Sequence, residues 1–162
     1  MTTPEELKQK ASGKKKENRK FLQSLKKQKS GNTDREFHEA HEEVFACTDC
    51  LKCANCCKTT GPLFNARDVQ RIAKHLKMRP SEFTESYLRL DEEGDYVLKS
   101  VPCPFLGADN LCGIYEVRPK ACREYPHTDR RNMQEIFSLT LKNSEICPAV
   151  FDILEKMKAS RR

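Results

Sequence analysis

Five cysteines fall within eleven positions in CTDCLKCANCC, residues 47–57. Four of them, Cys47, Cys50, Cys53 and Cys56, recur at every third residue, and Cys57 follows directly. A C-x2-C pair lets one tight turn aim two thiolates, and the N–H groups between them, at a single ion. Three cysteines so spaced match the C-x2-C-x2-C opening of bacterial ferredoxins, whose remaining ligand is remote and followed by Pro. Cys-Pro occurs twice here, at Cys103-Pro104 and Cys147-Pro148, and Cys112 and Cys122 complete a set of nine. Neighbouring side chains point apart, so Cys56 and Cys57 either serve two centres or leave one thiol as a bystander. Nine thiols exceed one tetrahedral site, which leaves two four-ligand centres or one polynuclear cluster open. Tetrahedral S4 ligation suits zinc and iron–sulfur alike, and the spacing leans towards iron–sulfur.

Compartment decides whether such thiols pair with one another or bind metal. The 162 residues begin MTTPEELKQKASGKKKENRK, which has no apolar core or cleavage site of a signal peptide. Nor does any stretch approach the roughly 20 apolar residues that cross a bilayer. A cytoplasmic location with no membrane contact is therefore expected, and thiols there stay reduced. An odd number of cysteines also cannot pair completely within one chain.

The net charge of +6 is unevenly spread: residues 1–30 hold ten Lys or Arg against three Glu, a net of +7, which leaves −1 for the rest. Residues 1–31 are expected to form a basic, partly helical tail, opened by the Thr3-Pro4-Glu5-Glu6 capping signature and ended at Gly31. Such a segment is either a solvated arm or a dock for an acidic partner, with nucleic acid a weaker case. Phe21, its one aromatic residue, offers little for base stacking.

Residues 32–158 should form the cysteine-cluster metal-binding domain. Thr33-Asp34-Arg35-Glu36 is a second capping pattern, followed by Phe37, Ala40, His41, Val44 and Phe45 at helical spacing. Further helices are expected from Asn65, with Val69, Ile72, Ala73 and Leu76 on one face, from Pro80, and from Cys147-Pro148, with Val150, Ile153, Leu154 and Met157 inward. DEEGD predicts a turn into a strand over Tyr96–Leu98, and IFSLTL, residues 136–141, alternates like a strand. The expected fold is mainly α with short β segments and long irregular Cys-rich loops, a small metal-stabilised α+β domain. Among the histidines, His127 follows the second cysteine group and is the better ligand candidate. His38 and His41 fit a helix surface, and His75 fits a structural role.

The residues C50LKCANCC57, C103PFL, C112GIYEVRPKACREYP126 and C147P together resemble the bacterial CxxCxxCC family, described as zinc- or iron-chelating. That family also includes flagellin lysine N-methylases. The resemblance implies Cys50, Cys53, Cys56, Cys57, Cys103, Cys112, Cys122 and Cys147 as metal ligands, with Cys47 additional to the pattern. It implies either an iron–sulfur or zinc protein or, as the alternative, an S-adenosylmethionine-dependent protein-lysine N-methylase acting on a protein substrate. The residues themselves offer the second reading little, since no G-x-G-x-x-G loop and no C-x3-C-x2-C run is present. Arg118 and Arg123 lie where guanidinium groups can offset thiolate charge or bind a substrate anion, or pair with surface Glu116 and Glu124. Tyr115 and Tyr125 are placed to pack over the site.

Overall fold

The computed structural model describes residues 1–161. Its helices are α1 (Pro4–Leu25), α2 (Ser30–Phe45), α3 (Cys50–Cys53), α4 (Asn55–Thr59), α5 (Ala66–His75), α6 (Pro80–Tyr87), α7 (Lys120–Glu124), α8 (Phe137–Asn143) and α9 (Pro148–Ala159). Strands β1 (Leu63–Phe64), β2 (Leu88–Leu90) and β3 (Tyr96–Leu98) form one antiparallel sheet in the order β1-β3-β2. The chain is thus a small α+β protein dominated by helix. It divides into two compact units, residues 1–53 with 126–162, and residues 54–125.

The first unit is helical. Thr3 caps α1 through a reciprocal pair, its Oγ1 accepting from the Glu6 N–H at 3.2 Å while the Glu6 carboxylate accepts from the Thr3 N–H at 2.9 Å. The basic segment is more than a solvated arm: Leu7, Ala11, Leu22 and Leu25 of α1 are buried. Those positions recur at one helix face over a long period, which a run of Lys between them masks. Leu22 and Leu25 join Phe37 and Ala40 of α2 and Ile153, Leu154 and Met157 of α9 in the core, and the Phe37 and Phe137 rings stand 6.1 Å apart.

The helix ends at Leu25 rather than at Gly31, which lies inside α2. Past the end of α1 the Gln134 side-chain amide donates to the Leu25 and Gln28 carbonyls at 2.9 and 3.0 Å, and the Leu25 carbonyl also accepts from the Gln28 N–H at 3.2 Å. Thr33 does not cap α2, which starts at Ser30; it is buried and accepts from Gln134 at 2.9 Å. Residues 136–141 are not a strand. A 3-10 turn over Met133–Ile136 runs into α8, and the buried residues Phe137, Thr140 and Asn143 recur every three residues.

One buried polar cluster fastens α1 to α9. The Lys158 ammonium, 9% exposed, donates to Glu17 at 2.6 Å, to the buried Asn18 at 2.7 Å and to Glu155. Removing it leaves the Asn18 oxygen buried without its donor. Lys158→Ala should therefore lower stability by about 1–3 kcal/mol, read as a shift in urea midpoint. The Lys158 and Lys14 hydrogen bonds also hold the Glu17 carboxyl down at about 2, from an ordinary 4.5. A carboxyl depressed in the folded state stabilises above the unfolded value and loses that effect as pH falls through the folded one. Glu17→Gln should accordingly flatten the loss of stability between about pH 4.5 and 2; an unchanged acid limb would remove Glu17 from the account.

In the second unit, α5 starts after Asn65 as expected, and Asn65 caps it through a reciprocal pair with Asp68. Asp91 Oδ1 accepts from the Glu93 and Asp95 N–H groups at 2.9 Å each, and Gly94 supplies the positive φ that closes the β2–β3 turn. Tyr96 pairs with both Phe64 and Leu90, and Leu98 with Leu88. One sheet face therefore buries Phe64, Leu88 and Leu98 against Val69, Ile72 and Ala73 of α5 and Phe83 of α6. Phe105 stacks on Phe83 at 6.2 Å and meets Tyr87 at 4.9 Å, which anchors the cysteine-bearing loop to this core.

Candidate metal centre

No disulfide joins any of the nine cysteines, and the two units hold different subsets of them. Residues 54–125 contain Cys56, Cys57, Cys103, Cys112 and Cys122; the first unit contains Cys47, Cys50, Cys53 and Cys147.

Local backbone structure gathers the second unit's thiols. The Cys103 N–H donates to the Cys57 carbonyl at 2.8 Å, which ties α4 to the loop after β3. A bridge between Leu106 and Cys112, closed by Gly107 N–H to Leu111 O and Gly113 N–H to Phe105 O, both 2.8 Å, folds residues 103–113 into a hairpin. That turn returns Cys112 towards Cys103. Cys122 follows on α7, whose first turn starts after buried Pro119.

The charges at these sulfurs interact. Burial pushes the Cys122 thiol up to about 12, and the neighbouring Cys57, Cys103 and Cys112 push in the same direction. Burial also raises Cys103 and Cys112, each with a further contribution from Cys57. Cys57 moves the other way, to about 7, because the Cys56 thiol donates a hydrogen bond to it and Lys58 lies close. Backbone donors already face two of the sulfurs: Phe105 and Leu106 N–H groups reach Cys103, and the Ile114 N–H reaches Cys112. Such donors stabilise a thiolate, whether bound to metal or free.

In the first unit, Cys147 is the N-cap residue of α9 without a side-chain cap hydrogen bond, and the Val150 and Ala149 N–H groups beside its sulfur act to lower its thiol. Burial pushes its thiol up to about 11, and Cys50 and Cys53 lie close enough to add to the shift. Cys50 and Cys53 sit one turn apart on α3, which Asp49 starts by accepting from the Leu51 and Lys52 N–H groups at 3.1 and 3.3 Å. Cys47 is exposed and lines a cavity of about 520 Å³ with Met1, Glu6, Asp152 and Lys156. Among the described residues no three Cys, His, Asp or Glu side chains form a ready-made cage for an ion. Cys57, Cys103, Cys112 and Cys122 lie within range of one another's charge, and Cys147 within range of Cys50 and Cys53.

A scan of protein families matches residues 49–148, well over half of the chain, to CxxCxxCC, described as "Putative zinc- or iron-chelating domain". The chain belongs to the CxxCxxCC family. No solved structure matches it. The CxxCxxCC match spans every thiol except Cys47, the one that stands apart in the first unit's cavity.

The remaining sequence candidates are dispersed. Arg118 lies with its guanidinium carbon 3.9 Å above the Tyr115 ring and donates to the Tyr115 carbonyl at 2.7 Å. Its charge opposes the upward shifts at Cys112 and Cys122. Arg123 is exposed on α7, and Tyr125 ends that helix half-buried. His38 donates to the Arg130 carbonyl at 3.0 Å, while His41 bonds the Thr128 hydroxyl at 2.7 Å and stacks on Phe45. His75 is exposed, and His127 adopts a left-handed backbone conformation.

Two residues that sequence reasoning passed over hold the cysteine loop in place. Asp68, 1% exposed, accepts from Arg71 at 2.7 Å and from the Lys120 N–H at 3.1 Å, in the first turn of the helix that carries Cys122. Arg71 donates onward to the Val117 and Arg118 carbonyls at 3.3 and 2.9 Å. The Asn-x-x-Asp capping pattern was the only signal in the sequence, and it concerns α5 alone. Asp68→Ala takes the carboxylate from Arg71 and from the Lys120 N–H, so it should weaken metal binding about 10–100-fold. Competition with a chromophoric chelator would measure this, and wild-type affinity in a folded variant would remove Asp68 from the site.

Proposed function

We propose that this CxxCxxCC protein holds an iron–sulfur cluster or a zinc ion on Cys57, Cys103, Cys112 and Cys122, with Cys56 beside them. One observation carries the reading: four thiols from three separate segments of one unit lie within range of one another's charge. Unbound, that arrangement is unfavourable, since burial and mutual repulsion both resist ionisation. A bound cation removes both objections, and four thiolates complete a tetrahedral shell. The family motif also takes in Cys50, Cys53 and Cys147 of the first unit. The three-residue cysteine spacing with remote Cys-Pro favours iron–sulfur over zinc.

Free thiols also favour a reducing compartment such as the cytoplasm. Lys16, Arg19 and Lys20 of α1 and Lys26 and Lys27 just after it are exposed, which suits an acidic partner. Binding to such a partner should weaken steeply between low and moderate salt.

Metal and acid-labile sulfide analysis, with an absorption spectrum, on protein purified without oxygen tests the reading. Iron with equivalent sulfide and visible absorption identifies a cluster; colourless protein with stoichiometric zinc identifies an ion. Protein that purifies and reconstitutes without metal would refute both.

A further inference from the structure

Helix α1 turns its apolar residues inward and leaves a cationic face outward. Leu7, Ala11, Leu22 and Leu25 are buried, and half-buried Phe21 lies under Arg161, whose guanidinium carbon is 5.8 Å from the ring centre. Lys8, Lys16, Arg19 and Lys20 are exposed on α1, continued by Lys26 and Lys27 in the turn after it. None of these six has an ion-pair partner among the described residues. Glu17, the one acidic residue between Leu7 and Lys29, is already neutralised, accepting from Lys158 at 2.6 Å and from Lys14 at 2.9 Å. At 1.5 Å per residue the helix runs for about 33 Å. Lys16, Lys20 and Lys27 follow one row along it, and Lys8, Arg19 and Lys26 a second row about a quarter-turn away. Between the cations stand exposed Gln9, Ser12, Gly13 and Gln23, polar or without a side chain.

Gly13 has no internal reason to be glycine. It lies inside the helix, where glycine costs stability relative to alanine, its φ is not left-handed, and a Cβ there would meet nothing within 4 Å. On an outer face a missing side chain lets something outside the chain approach the backbone closely. The occupant of this face is densely anionic and needs no apolar anchor. Protein partners bind through buried aromatic and aliphatic anchors, and interfacial helices need an apolar side to enter lipid. The apolar side of α1 is taken by the core. Single strands are held by stacking on exposed aromatic rings, and the only aromatic residue of α1 is Phe21. Duplex phosphates need only cations and polar donors. The major groove of B-form DNA, about 12 Å wide, admits an α-helix, whereas that of A-form RNA is too narrow.

We propose that the outer face of α1 binds the phosphate backbone of duplex DNA without sequence preference, with Gly13 at the point of closest approach. The proposal rests on the reading of α1 as a dock for an acidic partner and not on the metal, since the helix carries no cysteine.

The test follows the fluorescence anisotropy of a labelled duplex of about 20 base pairs, twice the length of α1, as full-length protein purified without oxygen is added. Six phosphate contacts predict a slope of log affinity on log salt of about −5, and a loss on the order of a thousandfold between about 50 and 200 mM salt. The triple variant Lys16→Gln, Arg19→Gln, Lys20→Gln should make that slope shallower by about three. Arg67→Gln, Lys74→Gln, Lys77→Gln, the same charge change on exposed residues in and just after α5, should leave it alone. Gly13→Leu should weaken binding while raising the urea midpoint. Equal losses in the two triple variants, unchanged affinity in Gly13→Leu, or tighter binding to duplex RNA would overturn the proposal. Binding to polyglutamate or to phosphatidylglycerol vesicles in place of DNA would overturn it and leave the acidic-partner reading standing. Binding to none of these would remove both.

Discussion

Stripping the metal should unfold the second unit's cysteine loops while the helical core of the first unit persists. The two cores differ in what they contain. Leu22, Leu25, Phe37, Ile153 and Leu154 pack with no cysteine among them. By contrast, the second unit's core is completed by Cys103, Cys112 and Phe105, from a stretch held by one isolated bridge and a few turn hydrogen bonds. A small core wrapped in irregular chain needs a staple, and metal-binding free energy at such a site is folding free energy. Structural zinc contributes about 10–16 kcal/mol in zinc-finger peptides. Even a third of that rivals the roughly 5–15 kcal/mol total stability of a domain. Amide hydrogen exchange reads the outcome directly. The Leu106, Gly107 and Gly113 amides should lose protection by about a thousandfold or more on chelation, equivalent to about 4 kcal/mol. Those of α2 and α9 should change little. Equal loss in both sets, or none in either, would contradict the assignment of metal to the loop.

Metal affinity should climb steeply with pH. A thiol must lose its proton to ligate, so every neutral thiol in the site makes binding release one proton. Burial holds Cys122 up at about 12 and raises Cys103 and Cys112, so all three are neutral at pH 7, while Cys57, at about 7, is half ionised. Ion binding at the four-thiol site then releases between three and four protons near neutrality. Protons compete with the ion, so the sign is fixed: affinity falls as pH drops. It should change about a thousandfold or more per pH unit between pH 6 and 7. Calorimetric titration with Zn2+ in buffers of different ionisation enthalpy counts the protons. Release of one or fewer, or an affinity flat from pH 6 to 8, would show that the raised thiols are not the ligands.

Much of this arrangement was legible in the chain. Proline at the first turn and apolar residues at helical spacing marked α6 and α9, and the apolar face Val69, Ile72, Ala73 and Leu76 marked α5. Tyr96–Leu98 emerged as a strand because a turn signal preceded a β-favouring triplet. The failures have identifiable causes. Residues 136–141 alternate in polarity, yet Phe137, Thr140 and Asn143 are the ones buried, so packing overrode the local pattern. In α1 the buried residues are separated by lysines whose charge dominated the composition, and only the distant α9 gives Leu7 and Ala11 their partner, Phe151. The cysteine spacing singled out the candidate metal ligands as a set. Their division between two units depends on long-range packing, as does the hold of Asp68 and Arg71 on residues 117–120. Neither has a sequence-local signature.

X-ray absorption at the metal edge of the purified, anaerobically handled protein addresses the central claim most directly. Thiolate ligation predicts a first shell dominated by sulfur at about 2.3 Å, with a metal–metal scattering feature in addition if the centre is an iron–sulfur cluster. A first shell made mainly of nitrogen or oxygen would show that the cysteines, despite their number and spacing, do not hold the metal.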